Sequence, residues 1–122
     1  MFKRNDVYYA LFGFCCCYCM QGSAPFVYVA KHPLGPYQCA QQGLGGQCAT
    51  ITSGIPAQQT NVLPFKDASG KRQYLWQGDM WQSAPDHIKG HDLSYWGLLS
   101  FSFFGGHPQT LKYVEAFNIT MP

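Results

Sequence analysis

The sequence predicts an all-β fold, and three observations lead to that prediction. Short runs of β-branched and aromatic residues recur along the 122 residues, as they do in strands. No segment has an apolar stripe with a period of 3.6 residues between helix caps. Aromatic residues make up 16% of the chain and charged residues 11%, which suits a buried β core. This pattern fits a sandwich, a barrel or a propeller.

The first half of the chain contains two predicted strands, a turn and a loop. Residues 7–14 are apolar on both faces, which is typical of a strand inside a sheet. Phe26–Ala30 is β-branched and aromatic, so it is predicted as a strand. Residues 32–37 contain two prolines and a glycine and therefore form a turn. Residues 38–53 are rich in Gly and Gln without periodicity, which predicts a loop.

The second half predicts a hairpin followed by two further strands. Residues 60–65 and 73–76 flank a turn over residues 67–71, where Gly70 can adopt a positive φ. Residues 93–103 and 111–119 are predicted as strands, with a turn between them.

Charge and hydrophobicity exclude two classes of partner. The net charge is +2 and no basic stripe is present, so nucleic-acid binding is not expected. Residues 7–20 have the outline of a secretory signal, but Asp6, four cysteines and Pro25 argue against one. The same stretch is shorter than the ~20 residues that a membrane span requires, so no span is expected.

Two segments, residues 57–65 and 77–101, resemble the last blade of a five-bladed β-propeller. The resemblance is to glycoside hydrolase family 43, and it is closest to the β-1,3-galactanase-like branch. In that branch a Gly-Asp-Arg-Trp motif follows a Gln-containing strand. The corresponding residues are Gly78, Asp79, Met80 and Trp81, so Met80 replaces the arginine.

The N-terminal part resembles the same family. Residues 2–9 (FKRNDVYY) are similar to the stretch that follows the family's general acid, and residues 31–36 (KHPLGP) are similar to its Ser-Pro-Leu-Gly-Pro turn. The resemblance implies an incomplete propeller, because a blade takes ~40–50 residues. Residues 1–37 would end one blade, residues 38–56 would form a loop, and residues 57–122 would form the last blade. Whether Met1 is the true start stays open.

The resemblance implies hydrolysis of O-glycosidic bonds by the full-length protein, with a polysaccharide or oligosaccharide as substrate and no cofactor. Inverting family members use one carboxylic acid and one carboxylate. No acidic residue of this chain matches either group; those considered are Asp67, Asp79, Asp86, Asp92 and Glu115. We therefore expect no hydrolysis by this chain alone. Open sheet edges would also make the isolated chain poorly soluble.

Gln58 is the candidate for positioning the catalytic water. It matches the glutamine of the family's Ser-Gln-x-Thr strand, with Ala57 in place of serine. A neutral amide donates and accepts hydrogen bonds, so it can hold a water or a sugar hydroxyl. A shift of one residue would select Gln59 instead. The alternative is a structural amide satisfied by its neighbours.

Two aromatic residues, Trp81 and Tyr95, are the other candidates for substrate binding. At least two of the three tryptophans are expected in the core, and Trp81 is placed at the rim of the cleft. Without the arginine, Asp79 is expected either to be exposed or to accept hydrogen bonds from loop amides.

His87 and His91, with Asp86 and Asp92, form a run with four-residue histidine spacing. That spacing makes a metal pair on a helix, but the proline and glycine in this run favour a loop. No metal site is expected, because the run supplies too few converging ligands. We expect His91 and Asp92 to anchor the loop to the next strand.

The six cysteines are Cys15, Cys16, Cys17, Cys19, Cys39 and Cys48. One possibility is a disulfide from the N-terminal cluster to Cys39 or Cys48, and the alternative is buried reduced thiols. Connectivity is open, since six cysteines allow 15 pairings. Asn118 begins a glycosylation sequon, which favours a secretory route for the full-length protein. Its localisation otherwise stays unknown.

Two other functions remain from different classes. One is a non-catalytic carbohydrate-binding module that uses Trp81 and Tyr95. The other is a small secreted structural protein stapled by disulfides.

Overall fold

The computed structural model describes residues 1–13, 20–102 and 106–121, and these ranges form an all-β protein. Their strands are β1 (Phe2–Arg4), β2 (Val7–Phe12), β3 (Phe26–Ala30), β4 (Gln38–Cys39), β5 (Thr52–Ser53), β6 (Gln58–Lys66), β7 (Arg72–Asp79), β8 (Ser94–Leu98) and β9 (Leu111–Lys112). Two short 3-10 helices, Leu44–Gly46 and Lys89–His91, lie in loops. Neither of these helices is long or apolar enough to cross a bilayer.

The first sheet is antiparallel, with strand order β1-β2-β3-β4. A tight turn joins β1 to β2, and its residues Asn5 and Asp6 have positive φ values, which these two residue types tolerate. β2 lies between two partners, so the prediction of an interior strand is confirmed for Val7–Phe12. Phe14, the predicted end of this strand, lies outside the described residues.

The second sheet has strand order β6-β7-β8 and is also antiparallel. Its hairpin turn is confirmed, with Gly70 at φ 79°. One carboxylate oxygen of Asp67 accepts hydrogen bonds from the backbone N–H groups of Ser69 and Lys71. Pro64 lies in β6, where it is tolerated because β6 is an edge strand of this sheet.

Three predicted elements are shorter or more structured than expected. The predicted loop over residues 38–53 contains β4 and β5, each two residues long. The predicted strand at residues 93–103 is regular over Ser94–Leu98, and the one at residues 111–119 over Leu111–Lys112. β4 pairs with β3, and β5 pairs in parallel with β9. Pairing between distant segments decides β5 and β9, and strands of two residues, such as β4, β5 and β9, are too short to show a period.

The core lies where the β1-β2-β3-β4 sheet meets the β6-β7-β8 sheet, with β1 beside β6. Trp76 at its centre is 0% exposed. The rings of Phe2 and Tyr9 stack with centroids 4.9 Å apart, and Phe101 packs edge-on against both. No sheet closes on itself within the described ranges. The division into blades at residues 1–37, 38–56 and 57–122 therefore stays a prediction.

Cys39 and Cys48 form a disulfide with each other, with Cα atoms 5.3 Å apart. The suggested bond from the N-terminal cluster to either of them is therefore wrong. β4 and the Gln42–Cys48 bridge bring the two cysteines together, and sequence spacing does not reveal this pairing. Cys15, Cys16, Cys17 and Cys19 lie outside the described residues.

Candidate functional site

Two adjacent glutamines at the start of β6 bond two different tryptophans. Neighbouring residues on a strand point to opposite faces. The Gln59 side-chain oxygen accepts a hydrogen bond of 2.7 Å from the Trp76 indole N–H in the core. The Gln58 side-chain oxygen accepts one of 2.6 Å from the Trp81 indole N–H. Both glutamines are half-buried. Strand register separates them by partner, since Gln59 bonds the core Trp76 and Gln58 bonds Trp81 beyond the end of β7.

The backbone around Gln58 is held closely by the segment before β3. Ser23 donates its backbone N–H to the Ala57 carbonyl, and Ser23 forms a parallel bridge with Gln58. Gly22 has φ 75°, and a Cβ there would lie 2.4 Å from the Ala57 nitrogen. Only glycine combines this conformation with so close an approach. The position of Gln58 therefore depends on a contact between distant segments.

Gly78, on β7, makes a second close contact beneath the site. It pairs with Gln59 and is buried. A Cβ at this position would lie 2.5 Å from the Trp76 ring and 2.9 Å from the Gln58 carbonyl oxygen. The glycine of the Gly-Asp-Met-Trp run thus leaves room for the ring of Trp76, on the same strand, and for the close approach of β6.

Trp81 follows β7 and is half-buried, while Lys89 covers one face of its ring. The Lys89 Nζ lies 3.8 Å from the ring centroid, a distance at which a cation is attracted to the π electrons. Lys89 also forms a 3.0 Å ion pair with Asp92, whose side chain is 4% exposed. Sequence reasoning missed Lys89, because a loop residue carries no periodic signal that relates it to Trp81.

Asp92 holds the loop over residues 82–92 together from within, whereas the sequence predicted that His91 and Asp92 would anchor the loop to the next strand. Its two carboxylate oxygens accept hydrogen bonds from the backbone N–H groups of Gln82 and Ala84, each at 3.0 Å. The N–H of Ala84, and then Lys89 and the N–H of Gln82, hold the pKa of Asp92 below its usual value. The loop that carries Lys89 is thus fixed by a charged, bonded carboxylate.

His91 is bonded to Asp86, with 2.6 Å between Nδ1 and the carboxylate oxygen. This bond, together with the N–H of Ile88, lowers the pKa of Asp86. In the described ranges no group of three or more His, Cys, Asp or Glu side chains could hold a metal ion. His91 therefore makes a local contact within the loop through Asp86.

Tyr95 lies in the core and is 6% exposed. Its hydroxyl accepts a 2.9 Å bond from the Val114 N–H, and its ring stacks on Tyr113 with centroids 5.3 Å apart. This packing leaves little of Tyr95 available to a sugar. Of the predicted site residues, the structure brings Gln58 and Trp81 together through a hydrogen bond.

The expectation that at least two tryptophans lie in the core is wrong, since of the three only Trp76 is buried. Trp96 is 39% exposed, because it alternates with Tyr95 along β8 and points to the other face. Met80 is partly buried and packs against the core. Within the described residues the Asp79 carboxylate has no hydrogen-bond partner.

Comparisons with known proteins add one structural likeness. No family model matches the sequence, and no curated protein does. The solved structure of an exo-beta-1,3-galactanase from Clostridium thermocellum matches with a TM-score of 0.69 and 21% identity. The match covers 92% of this chain and 22% of that chain. A region of a glycoside hydrolase family 43 galactanase therefore shares the fold of this chain.

Proposed function

We propose that this chain is part of a five-bladed, family-43-like glycosidase propeller and supplies one wall of its sugar-binding cleft. The observation that carries the proposal is the hydrogen bond between Gln58 and Trp81 at one end of β6. The ligand class is a polysaccharide or oligosaccharide. In the full-length protein this cleft would serve hydrolysis of O-glycosidic bonds, with the carboxylates supplied from outside this chain.

The chemistry of Gln58 supports this role. Its oxygen accepts the Trp81 N–H, so the amide orientation is set and its –NH₂ group is the part left to bond a ligand. In the described part of the chain that nitrogen has no partner. Lys89 beside Trp81 adds further donors. Uncharged hydroxyls and water are suitable partners for such a donor-rich edge.

The acidic residues support an absence of turnover by this chain alone. A general acid requires a carboxyl group that stays protonated near the working pH. Asp67, Asp86 and Asp92 instead have lowered pKa values, because each accepts hydrogen bonds within a turn or loop. Their roles are local and structural.

A titration with β-1,3-linked galacto-oligosaccharides tests the proposal. We expect weak, saturable shifts of the Trp81 indole N–H signal in NMR spectra, and no release of reducing ends. Gln58→Ala should weaken binding about two- to tenfold, the effect of one hydrogen bond worth ~0.5–1.5 kcal/mol.

Gln42→Ala is the matched control, because Gln42 is an exposed glutamine far from Trp81 in the sequence and should bind normally. Hydrolysis by the purified chain would overturn the absence of turnover. Two results together would favour the stapled structural protein instead: no binding at the highest soluble sugar concentration, and loss of the fold when the disulfide is reduced.

A further inference from the structure

The sequon at Asn118 is the motif that the proposed function leaves unexplained. The chain contains three asparagines, Asn5, Asn61 and Asn118, and only Asn118 is followed by the pattern x-Thr. Its middle residue is Ile119, which is compatible with modification because it is not proline. The sequence therefore offers a single acceptor for N-linked glycosylation.

The structure leaves this acceptor accessible. Asn118 and Thr120 are both exposed, in a segment without regular secondary structure. A backbone hydrogen bond of 3.0 Å, from the Ala68 N–H to the Thr120 carbonyl, ties the segment to the hairpin turn. A cavity of about 420 Å³ between them is lined by Phe65 and Leu98 among others. An exposed acceptor outside regular secondary structure is what a glycosyl transferase needs to reach.

We propose that Asn118 is an N-glycosylation site. The donor class is an oligosaccharide linked to a lipid diphosphate. The Asn118 side-chain nitrogen forms a bond to the anomeric carbon, and the bond from that carbon to the diphosphate oxygen breaks. The lipid diphosphate leaves with the bonding electrons, and the amide proton passes to a base of the transferase.

The disulfide supports the compartment that this reaction requires. Cys39 and Cys48 are bonded to each other, and disulfides persist in the secretory pathway and outside the cell rather than in the cytosol. N-linked transfer takes place on secretory proteins. Two unrelated features of the chain, the Cys39–Cys48 disulfide and the Asn118 sequon, thus both indicate the secretory pathway.

The site lies at the opposite end of the hairpin from Gln58. β6 extends over nine residues from Gln58 to Lys66, which is about 26 Å at the rise of a strand. The Asn118 segment contacts the turn that follows Lys66. A glycan there would leave the Gln58 edge open, so modification and sugar binding are separate properties.

Expression of the full chain behind a cleavable secretion signal in a eukaryotic cell tests the site. We expect a gel shift that peptide-N-glycosidase removes, leaving aspartate at position 118 in the mass spectrum. Asn118→Gln and Thr120→Ala should abolish the shift. Thr120→Ser keeps the hydroxyl and should remain modified.

Unmodified wild-type chain recovered from the medium would overturn the assignment, and so would a shift that survives Thr120→Ala. Variants that are not secreted can be compared by translation with microsomes, which requires translocation but not folding. Wild-type chain that is protected from protease there and still unmodified would likewise refute it. Neither readout depends on sugar binding.

Discussion

Replacing Gly78 with alanine tests the close packing beneath Gln58. The added methyl group would lie 2.5 Å and 2.9 Å from two atoms of the Trp76 ring and 2.9 Å from the Gln58 carbonyl oxygen. Carbon atoms in protein cores pack at about 3.5–4.0 Å. Trp76 is 0% exposed and its N–H is held by Gln59, so a shift of the ring would disturb both its burial and this bond.

The expected magnitude follows from two opposing effects. Overpacking a well-filled site costs about 1–3 kcal/mol. Removing the flexibility of glycine from the unfolded chain offsets about 0.4–1 kcal/mol of that cost. Gly78→Ala should therefore lower the free energy of unfolding by about 1–2 kcal/mol. Because the Gln58 carbonyl is one of the displaced atoms, sugar binding should weaken as well.

Gly90→Ala is the matched control for this experiment. A Cβ at Gly90 meets nothing within 4 Å, and the residue does not require a positive φ. Alanine there should leave stability unchanged or raise it slightly. Urea unfolding followed by tryptophan fluorescence, at a dilution where sedimentation shows a monomer, gives both values. A Gly78→Ala protein as stable as the Gly90→Ala protein would refute the packing argument.

Two further predictions concern the disulfide and the hairpin turn. The double variant Cys39→Ser, Cys48→Ser should lose about 2–3 kcal/mol in non-reducing urea unfolding, because the bond closes a loop with a sequence separation of 9; unchanged stability would show that the bond does not constrain the unfolded chain. Hydrogen bonds from the Gln73 and Ser69 side chains lower the pKa of Asp67 to about 2. Asp67 therefore contributes stability above the unfolded pKa near ~4, and this is lost as the pH falls towards 2. Urea unfolding of wild type and of Asp67→Asn should be measured at several pH values from 5 down to 2. The difference between the two urea midpoints should shrink as the pH falls, and a constant difference would contradict this sign.

The hairpin and the interior strand could be predicted because their causes are local. Residues 67–71 carry turn chemistry in their own side chains, and Asp67 bonds the turn amides as an isolated peptide also could. Phe26–Ala30 is a strand in both the prediction and the structure, since its residues suit a half-buried pleated surface. β4, β5 and β9 were missed or overextended because each has only two paired residues, and β5 and β9 also depend on pairing between distant segments.

The candidate site divides in the same way. The all-β class could be predicted from residue types and their alternation, which are properties of the chain, whereas Gln58 and Trp81 were singled out through the resemblance to a known family. Tertiary structure decided that Gln58 bonds Trp81 while Gln59 bonds Trp76, that Lys89 covers Trp81, and that Tyr95 is buried. It also decided that Cys39 bonds Cys48. The physical reason is that strand register and sheet packing determine which side chains meet. A shift of one residue in β6, for example, would exchange the faces on which Gln58 and Gln59 lie.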